Sequence, residues 1–346
     1  MKAVIVESTG GVDALVFKSK YPIPCLVVPA GHALVRNEFA GLNLIDTYHR
    51  SGLYPRECPF VMGQEGGGRI AKLSDDENSN LDFKVGDRVA YGSFGSYAEF
   101  TIVSIDKLVP VPDDLDMSTA VACVIQGMTA HYLSTSVGAG IAKPGDWVLV
   151  YGVGSGTGQW TAQMFNLQGY RVIGITSRVK ILDFDSTEAA ASEFGCEKLI
   201  VLDNIPGKSY SDYNSIDIAS EVMNITMGGG CKLVIDGIGK STYEISLKCL
   251  STRGLFVSFG NASGAVPAFP VINLLPKSAY MTRPKLNDYV ASRVELLARA
   301  NEIFQWVRNG DLKIKVELEL RLEDVAYGHT LLEDGKTKGK VLYKIN

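Results

Sequence analysis

The chain is poor in what builds metal sites and disulfide frameworks. Four histidines and six cysteines are scattered over 346 residues, no CxxC pair occurs, and no cysteine has a histidine at ligand spacing. Cys25, Cys58, Cys123, Cys196, Cys231 and Cys249 therefore read as reduced, packed thiols. No apolar run is long enough to span a membrane, and the opening MKAVIVESTG holds no stretch of signal-peptide length, so the expected location is cytoplasmic. There is no excess of positive charge: a formal net charge of −4 argues against non-specific nucleic-acid binding. Repeats, low-complexity tracts and linker-like runs are also missing. What remains is a globular composition, 46% hydrophobic and 21% charged, in a chain too long for one ordinary core.

The first third is short, turn-punctuated and β-rich. MKAVIVE, HALVRNEFAGLN, GDRVAYG and SYAEFTIV read as strands separated by Gly, Pro and Asp. From about Ala120 the texture becomes strand–helix alternation. WVLVYG, YRVIGIT, KLIVLD, KLVIDG and GLFVSFG are near-continuous apolar runs, as suits strands buried on both faces of a parallel sheet. Between them lie helix-like stretches such as STEAAASEFG and STYEISLKCLSTRG, which together predict a doubly wound α/β domain. After about Tyr280, Val290, Val294, Leu297, Phe304 and Val307 recur at mostly helical spacing. LKIKVELEL then alternates as a half-exposed strand, with Leu312, Ile314, Val316, Leu318 and Leu320 on one face. The expected fold is a Rossmann-type doubly wound sheet, residues 126–282, inserted into a split β-rich domain formed by 1–125 and 283–346.

DWVLVYGVGSGTGQWTAQ (146–163) places alternating glycines between a strand and a helix, although the spacing G-x-G-x-x-G is not met. A dinucleotide loop needs helix-N-terminal N–H groups aimed at a pyrophosphate and nothing bulky at the close approach. Gly154, Ser155, Gly156, Thr157 and Gly158 satisfy that requirement, and Gly169 is placed to stop the helix. The next strand ends Thr176, Ser177, Arg178 and Lys180, with no acid before Asp183. Two hydroxyls and two cations favour a 2′-phosphate, hence NADPH over NADH. GIGKST (237–242) carries the end of a Walker A motif but has Val234 where that motif wants glycine, so it reads as an ordinary strand-to-helix turn.

Six further segments, GLNLIDTYHRSGLYP (41–55), GQEGGGRI (63–70), GDRVAYG (86–92), SFGNASGAV (258–266), YMTRP (280–284) and GKTKGKVLY (335–343), carry a family likeness. Through them the chain resembles the zinc-independent quinone oxidoreductase (zeta-crystallin-like) branch of the medium-chain dehydrogenase/reductases, across nearly its full length. The resemblance implies that the split domain is GroES-like, and that the glycine loop is a variant of that family's small-residue loop. Where zinc-dependent relatives bind a catalytic metal through Cys and His, this chain has Asn43 and Gln64, followed by Glu65. The four-cysteine structural lobe is missing too, so no metal is expected.

By the same resemblance, Asn43, Tyr48 and Tyr54 are candidate catalytic residues, with Asn43 and Tyr48 near the nicotinamide and Tyr54 lining the acceptor pocket. Asp46 and His49 are expected to be structural. Thr129, Phe259, Gly260, Asn261, Met281, Arg283 and Lys340 match further cofactor contacts, and Lys180 a 2′-phosphate ligand. Two departures are Leu202, where relatives offer Tyr or His beside the adenosine, and Gln126, where some have lysine. The implied activity is zinc-independent transfer of hydride or electrons from NADPH to a quinone or another electrophilic carbonyl acceptor. An alternative is reduction of activated C=C bonds (enals or enoyl thioesters), with Tyr48 as proton donor. A reading of another class is an NADPH-sensitive RNA-binding or crystallin-like structural protein. The resemblance also implies a homodimer paired through an edge strand of the nucleotide domain, with GLFVSFG and its neighbours at the interface.

Overall fold

The apolar runs of the first third are strands, as their alternation requires. In the computed structural model, which describes residues 1–24, 27–75, 83–205 and 211–345, they are β1 (Ala3–Val6), β2 (Leu15–Lys18), β3 (His32–Gly41), β4 (Phe60–Val61), β5 (Glu65–Leu73), β6 (Arg88–Gly92), β7 (Phe100–Ser104) and β8 (Leu108–Pro110). Cys25 lies outside the described residues. Helices α1 (Leu44–Ser51), α2 (Met117–Ala122) and α3 (Met128–Thr135) follow β3 and β8, with a π-helical turn at Cys123–Gly127. The chain divides into two units, Met1–Met128 with Val290–Asn346, and Thr129–Tyr289.

The second unit is a six-stranded parallel sheet. Its strands are β9 (Trp147–Tyr151), β10 (Arg171–Ser177), β11 (Lys198–Leu202), β12 (Cys231–Asp236), β13 (Leu250–Ser258) and β14 (Tyr280–Thr282), in the order β11-β10-β9-β12-β13-β14. The chain starts at the centre and winds outward both ways, through α4 (Gly156–Leu167), α5 (Thr187–Glu193), α6 (Ile218–Ile225) and α7 (Tyr243–Cys249). Both faces are covered. Val148 and Val150 pack with Phe165, Ala190 and Leu255 on one side; Leu149 and Tyr151 pack with Ile173, Val222 and Phe256 on the other. Each such buried side chain contributes about 1.5–3 kcal/mol, which is why these runs lack polar alternation.

After α8 (Leu286–Tyr289) the chain rejoins the first unit through α9 (Arg293–Asn309), β15 (Val316–Arg321), α10 (Val325–Glu333) and β16 (Lys340–Lys344). The larger sheet there runs β15-β16-β3-β5-β6-β8, with β7 also on β3, while β2-β1-β4 form a small antiparallel sheet. The return is what brings Lys340, at the start of β16, beside the end of β3, since Leu342 pairs with Gly41.

Three expectations need correction. The apolar face of α9 is Leu296, Ala300, Ile303 and Phe304, while Val294 is 79% exposed. The helix begins only after Ser292, whose Oγ accepts from Glu295 N at 3.2 Å, so Val290 precedes it and Val294 falls in its first turn. STYEISLKCLSTRG is not one helix: Leu250 is buried and pairs with Cys231, so β13 starts there. Nor is GLFVSFG the sheet edge, because its strand lies between β12 and β14, leaving β14 outermost.

Candidate active site

In the second unit the glycines of the loop do separate jobs. Gly152 (φ 74°) and Gly156 (φ 44°) take left-handed backbone conformations that turn the chain from β9 into α4. A Cβ on Gly158 would collide with the Gly152 carbonyl, so its absence lets α4 close on the end of β9. A Cβ on Gly154 would collide with Thr176 Oγ1 and crowd Lys180, so the turn passes directly over the end of β10. Ser155 is extended at the N-cap and contributes no side-chain cap. The first-turn N–H groups of α4 thus have no intrahelical acceptor, and with the helix dipole they suit a pyrophosphate.

The end of β10 supplies the neighbouring polar groups. Thr176 Oγ1 is buried without a hydrogen-bond partner, and Ser177 is buried beside it. Arg178 donates from Nε to Asp203 Oδ1 at 3.1 Å. Asp203 was not anticipated. The parallel register Ser177↔Leu202 brings the residue after β11 beside the residue after β10, and only the strand pairing reveals it. Leu202 itself is fully buried.

On the other side of the sheet, Arg283 Nη1 donates to Ser258 O and Gly260 O, both at 2.9 Å, which fixes the segment holding Phe259, Gly260 and Asn261. Gly260 backs onto Gly237, where a Cβ would strike the backbone. The guanidinium expected to meet a cofactor is therefore engaged in positioning that segment. Met281 sits on β14, paired with Phe256, and Thr129 is half-buried on α3. The GIGKST turn is organised by Asp236, which accepts from Ile238 N (2.7 Å), Gly239 N (3.1 Å), Thr242 Oγ1 (2.7 Å) and Ser246 Oγ (2.7 Å).

The first unit holds a buried ionic cluster. Lys340 Nζ donates to Leu42 O (3.1 Å), to Asn43 Oδ1 (3.0 Å) and to the Glu65 carboxylate. Asn43 Nδ2 donates to Glu65 Oε1 at 2.8 Å, and Ile125 N donates to Glu65 Oε2 at 2.7 Å. Gly41 makes room for that carboxylate, since a Cβ there would overlap it. The three ammonium hydrogens have three acceptors, which hold Lys340 in the interior of the first unit. Asn43 is likewise committed, its amide held between Lys340 and Glu65. Asp46 caps α1 by accepting from Asn43 N (2.8 Å) and also accepts from Tyr97 OH (3.0 Å). Burial pushes its carboxyl up to about 7.

Next to this cluster, α1 carries Tyr48 and His49, and the following turn brings Tyr54 back: its N–H donates to Tyr48 O at 3.0 Å. The two tyrosine rings meet edge to face with centroids 5.3 Å apart. His49 lies edge-on to Tyr54 and Phe94, and burial lowers its pKa below the usual imidazole value. Two carboxamide atoms of this unit, Gln64 Nε2 and Gln126 Oε1, are buried without a partner. The sequence pointed to both residues only as departures from a pattern.

Two family models match the chain, "Alcohol dehydrogenase GroES-like domain" over residues 29–113 and "Zinc-binding dehydrogenase" over 207–342. It is 36% identical to a quinone oxidoreductase of Pseudomonas aeruginosa, with 89% of each chain covered. It is 30% identical to a 2-haloacrylate reductase of a Burkholderia species over 98% of each. Among solved structures, the quinone oxidoreductase of Escherichia coli complexed with NADPH superposes with a TM-score of 0.88 at 30% identity, each chain covered fully.

Proposed function

The chain belongs to the zinc-independent quinone oxidoreductase branch of the medium-chain dehydrogenase/reductases, and on that premise we propose that it is an NADPH-dependent quinone reductase. The observation that carries the reading is the pairing of an open α4 N-terminus with Thr176, Ser177, Arg178 and Lys180 at the end of β10. Gly154, Ser155, Gly156, Thr157 and Gly158 hold the pyrophosphate, and the β10 residues hold the adenosine 2′-phosphate. The 258–261 segment, fixed by Arg283, would hold the rest of the dinucleotide. When bound, NADPH supplies the reducing equivalents.

Zinc does not fit this chain. Asn43 and Gln64 offer neutral carboxamides where the metal prefers thiolate or imidazole, and the Asn43 amide is already held by Lys340 and Glu65. Cys123 is buried, and burial pushes its thiol pKa far up, away from the thiolate a metal needs. Without a Lewis acid the protein's task is to hold and orient an acceptor that is easily reduced. Tyr48 and Tyr54 offer ring edges and hydroxyls to a planar quinone. Gln64 Nε2 supplies an uncommitted donor for a carbonyl oxygen. The Lys340–Glu65 pair keeps Asn43 and the 123–127 turn in place.

Reduction of activated C=C bonds is the second reading, favoured by the likeness to the 2-haloacrylate reductase over nearly the whole chain; there Tyr48 serves as proton donor. A cytoplasmic homodimer completes the proposal. Its support is the exposed β14 edge beside Val271, Ile272 and Leu275, exposed by 79%, 65% and 67%.

Steady-state oxidation of NADPH and NADH with phenanthrenequinone, with and without EDTA, tests the reading. Fast NADPH turnover untouched by EDTA is expected. NADPH oxidation by 2-chloroacrylate but not by the quinone would transfer the assignment to the second reading, and loss of turnover in EDTA would overturn the metal-free mechanism.

A further inference from the structure

The nucleotide site contains groups suited to two different adenosines. In doubly wound folds the end of the second strand faces the adenosine ribose; a carboxylate there binds the free 2′-hydroxyl, whereas cations there bind a 2′-phosphate. Here β10 ends in Thr176 and Ser177, followed by Arg178, and carries no acid, yet an acid arrives from the residue after the next strand. The parallel register Ser177↔Leu202 sets Asp203 beside Arg178, with Nε and Oδ1 3.1 Å apart. The two side chains are 61% and 62% exposed, so either can meet a ligand.

We propose that Asp203 is a specificity-determining residue that weakens the site's preference for NADPH over NADH. This rests on the nucleotide reading above. Arg178, the residue after β10, has a fixed fork geometry; its Nε–H donates to Asp203, and its Nη groups could hold a phosphate. A 2′-phosphate held by those groups would lie near the carboxylate, since Arg178 Nε and Asp203 Oδ1 are 3.1 Å apart, and two close anions repel even in a solvated site. A ribose without the phosphate meets no such penalty, and its 2′-hydroxyl has an acceptor in Asp203. Thr176 Oγ1, buried and unpaired under the Gly154 turn, serves both cofactors alike.

The test is calorimetric titration of the full-length protein with NADPH and NADH, comparing wild type with Asp203→Asn, Arg178→Ala and the double variant. Asp203→Asn is close to isosteric and removes only charge. It is expected to tighten NADPH about three- to tenfold, the effect of one nearby screened charge, and to leave NADH unchanged or weaker. In the Arg178→Ala background most of that gain remains, because it comes from relief of repulsion. The inference falls if Asp203→Asn leaves the ratio of the two dissociation constants within twofold, or weakens NADPH, which would make Asp203 a support for Arg178. If wild type binds neither nucleotide, the cofactor reading itself fails and the inference falls with it.

Discussion

Glu65 and Lys340 are both fully buried, and such a pair is tolerated only when every remaining donor and acceptor finds a partner. Here Leu42 O, Asn43 and Ile125 N complete the set. Removing one member strands the other's charge. Lys340→Met is therefore expected to lower stability by about 3–5 kcal/mol, and Glu65→Gln/Lys340→Met to recover much of it; urea unfolding of the singles and the double measures the coupling. Asp46 behaves differently because its carboxyl is raised from 3.8 to about 7 by burial. The folded state then holds a proton that the unfolded chain has released across that interval. Its contribution is complete below about pH 4 and is lost as pH rises to about 7. Asp46→Asn cannot lose it. Relative to wild type, this variant is expected to gain up to about 4 kcal/mol between pH 4 and pH 8, read from paired denaturation curves. A constant difference would mean that Asp46 is ionised in the fold.

At the scale of the element, the glycines of one turn are predicted to respond unequally to alanine. Gly158→Ala puts a methyl against the Gly152 carbonyl, backbone that cannot yield without moving α4 off β9. It is expected to cost about 1–3 kcal/mol and to abolish NADPH binding. At Gly152 the space is open and only the positive φ opposes substitution, so Gly152→Ala costs roughly 1–2 kcal/mol. Thermal unfolding together with NADPH titration separates the two. The loop was legible in the chain because strand, small residues and helix are contiguous there. The strands of both units were legible for the same reason, since WVLVY or HALVRNEFAG declares its burial locally. Features joining distant segments were hidden. Asp203 reaches Arg178 only through the β10–β11 register, and Lys340 enters the Asn43–Glu65 cluster only because β16 returns to β3. On α9 the expected Phe304 is buried and Leu297 and Val307 are half-buried, while Val294, in the first turn after the Ser292 cap, is exposed and Leu296, Ala300 and Ile303 complete the buried face.

At the scale of the whole molecule the open question is what covers the outer edge of the six-stranded sheet. Among the described residues β14 pairs on one side only, with β13, so its outer N–H and C=O groups face away from the sheet. Proteins that leave such an edge to solvent usually blunt it with charge or proline. Pro276, Lys277, Arg283 and Pro284 flank this edge, and Val271, Ile272, Leu275 and Tyr280 are also exposed there. The proposed homodimer would cover this edge if β14 of each protomer paired with β14 of the other across a two-fold axis, a self-complementary contact. Val271→Asp/Ile272→Asp would bury two carboxylates in such an interface and is expected to yield a monomer, whereas wild type, on the proposed reading, is expected to sediment as a dimer. The same contact makes stability depend on concentration: wild-type Tm should rise with protein concentration, and that of the variant should not. The nucleotide loop belongs to β9 and α4, so NADPH affinity per protomer should be retained in the monomer. A wild-type monomer at tens of micromolar would leave the apolar edge unexplained by self-association and remove the dimer from the proposed function.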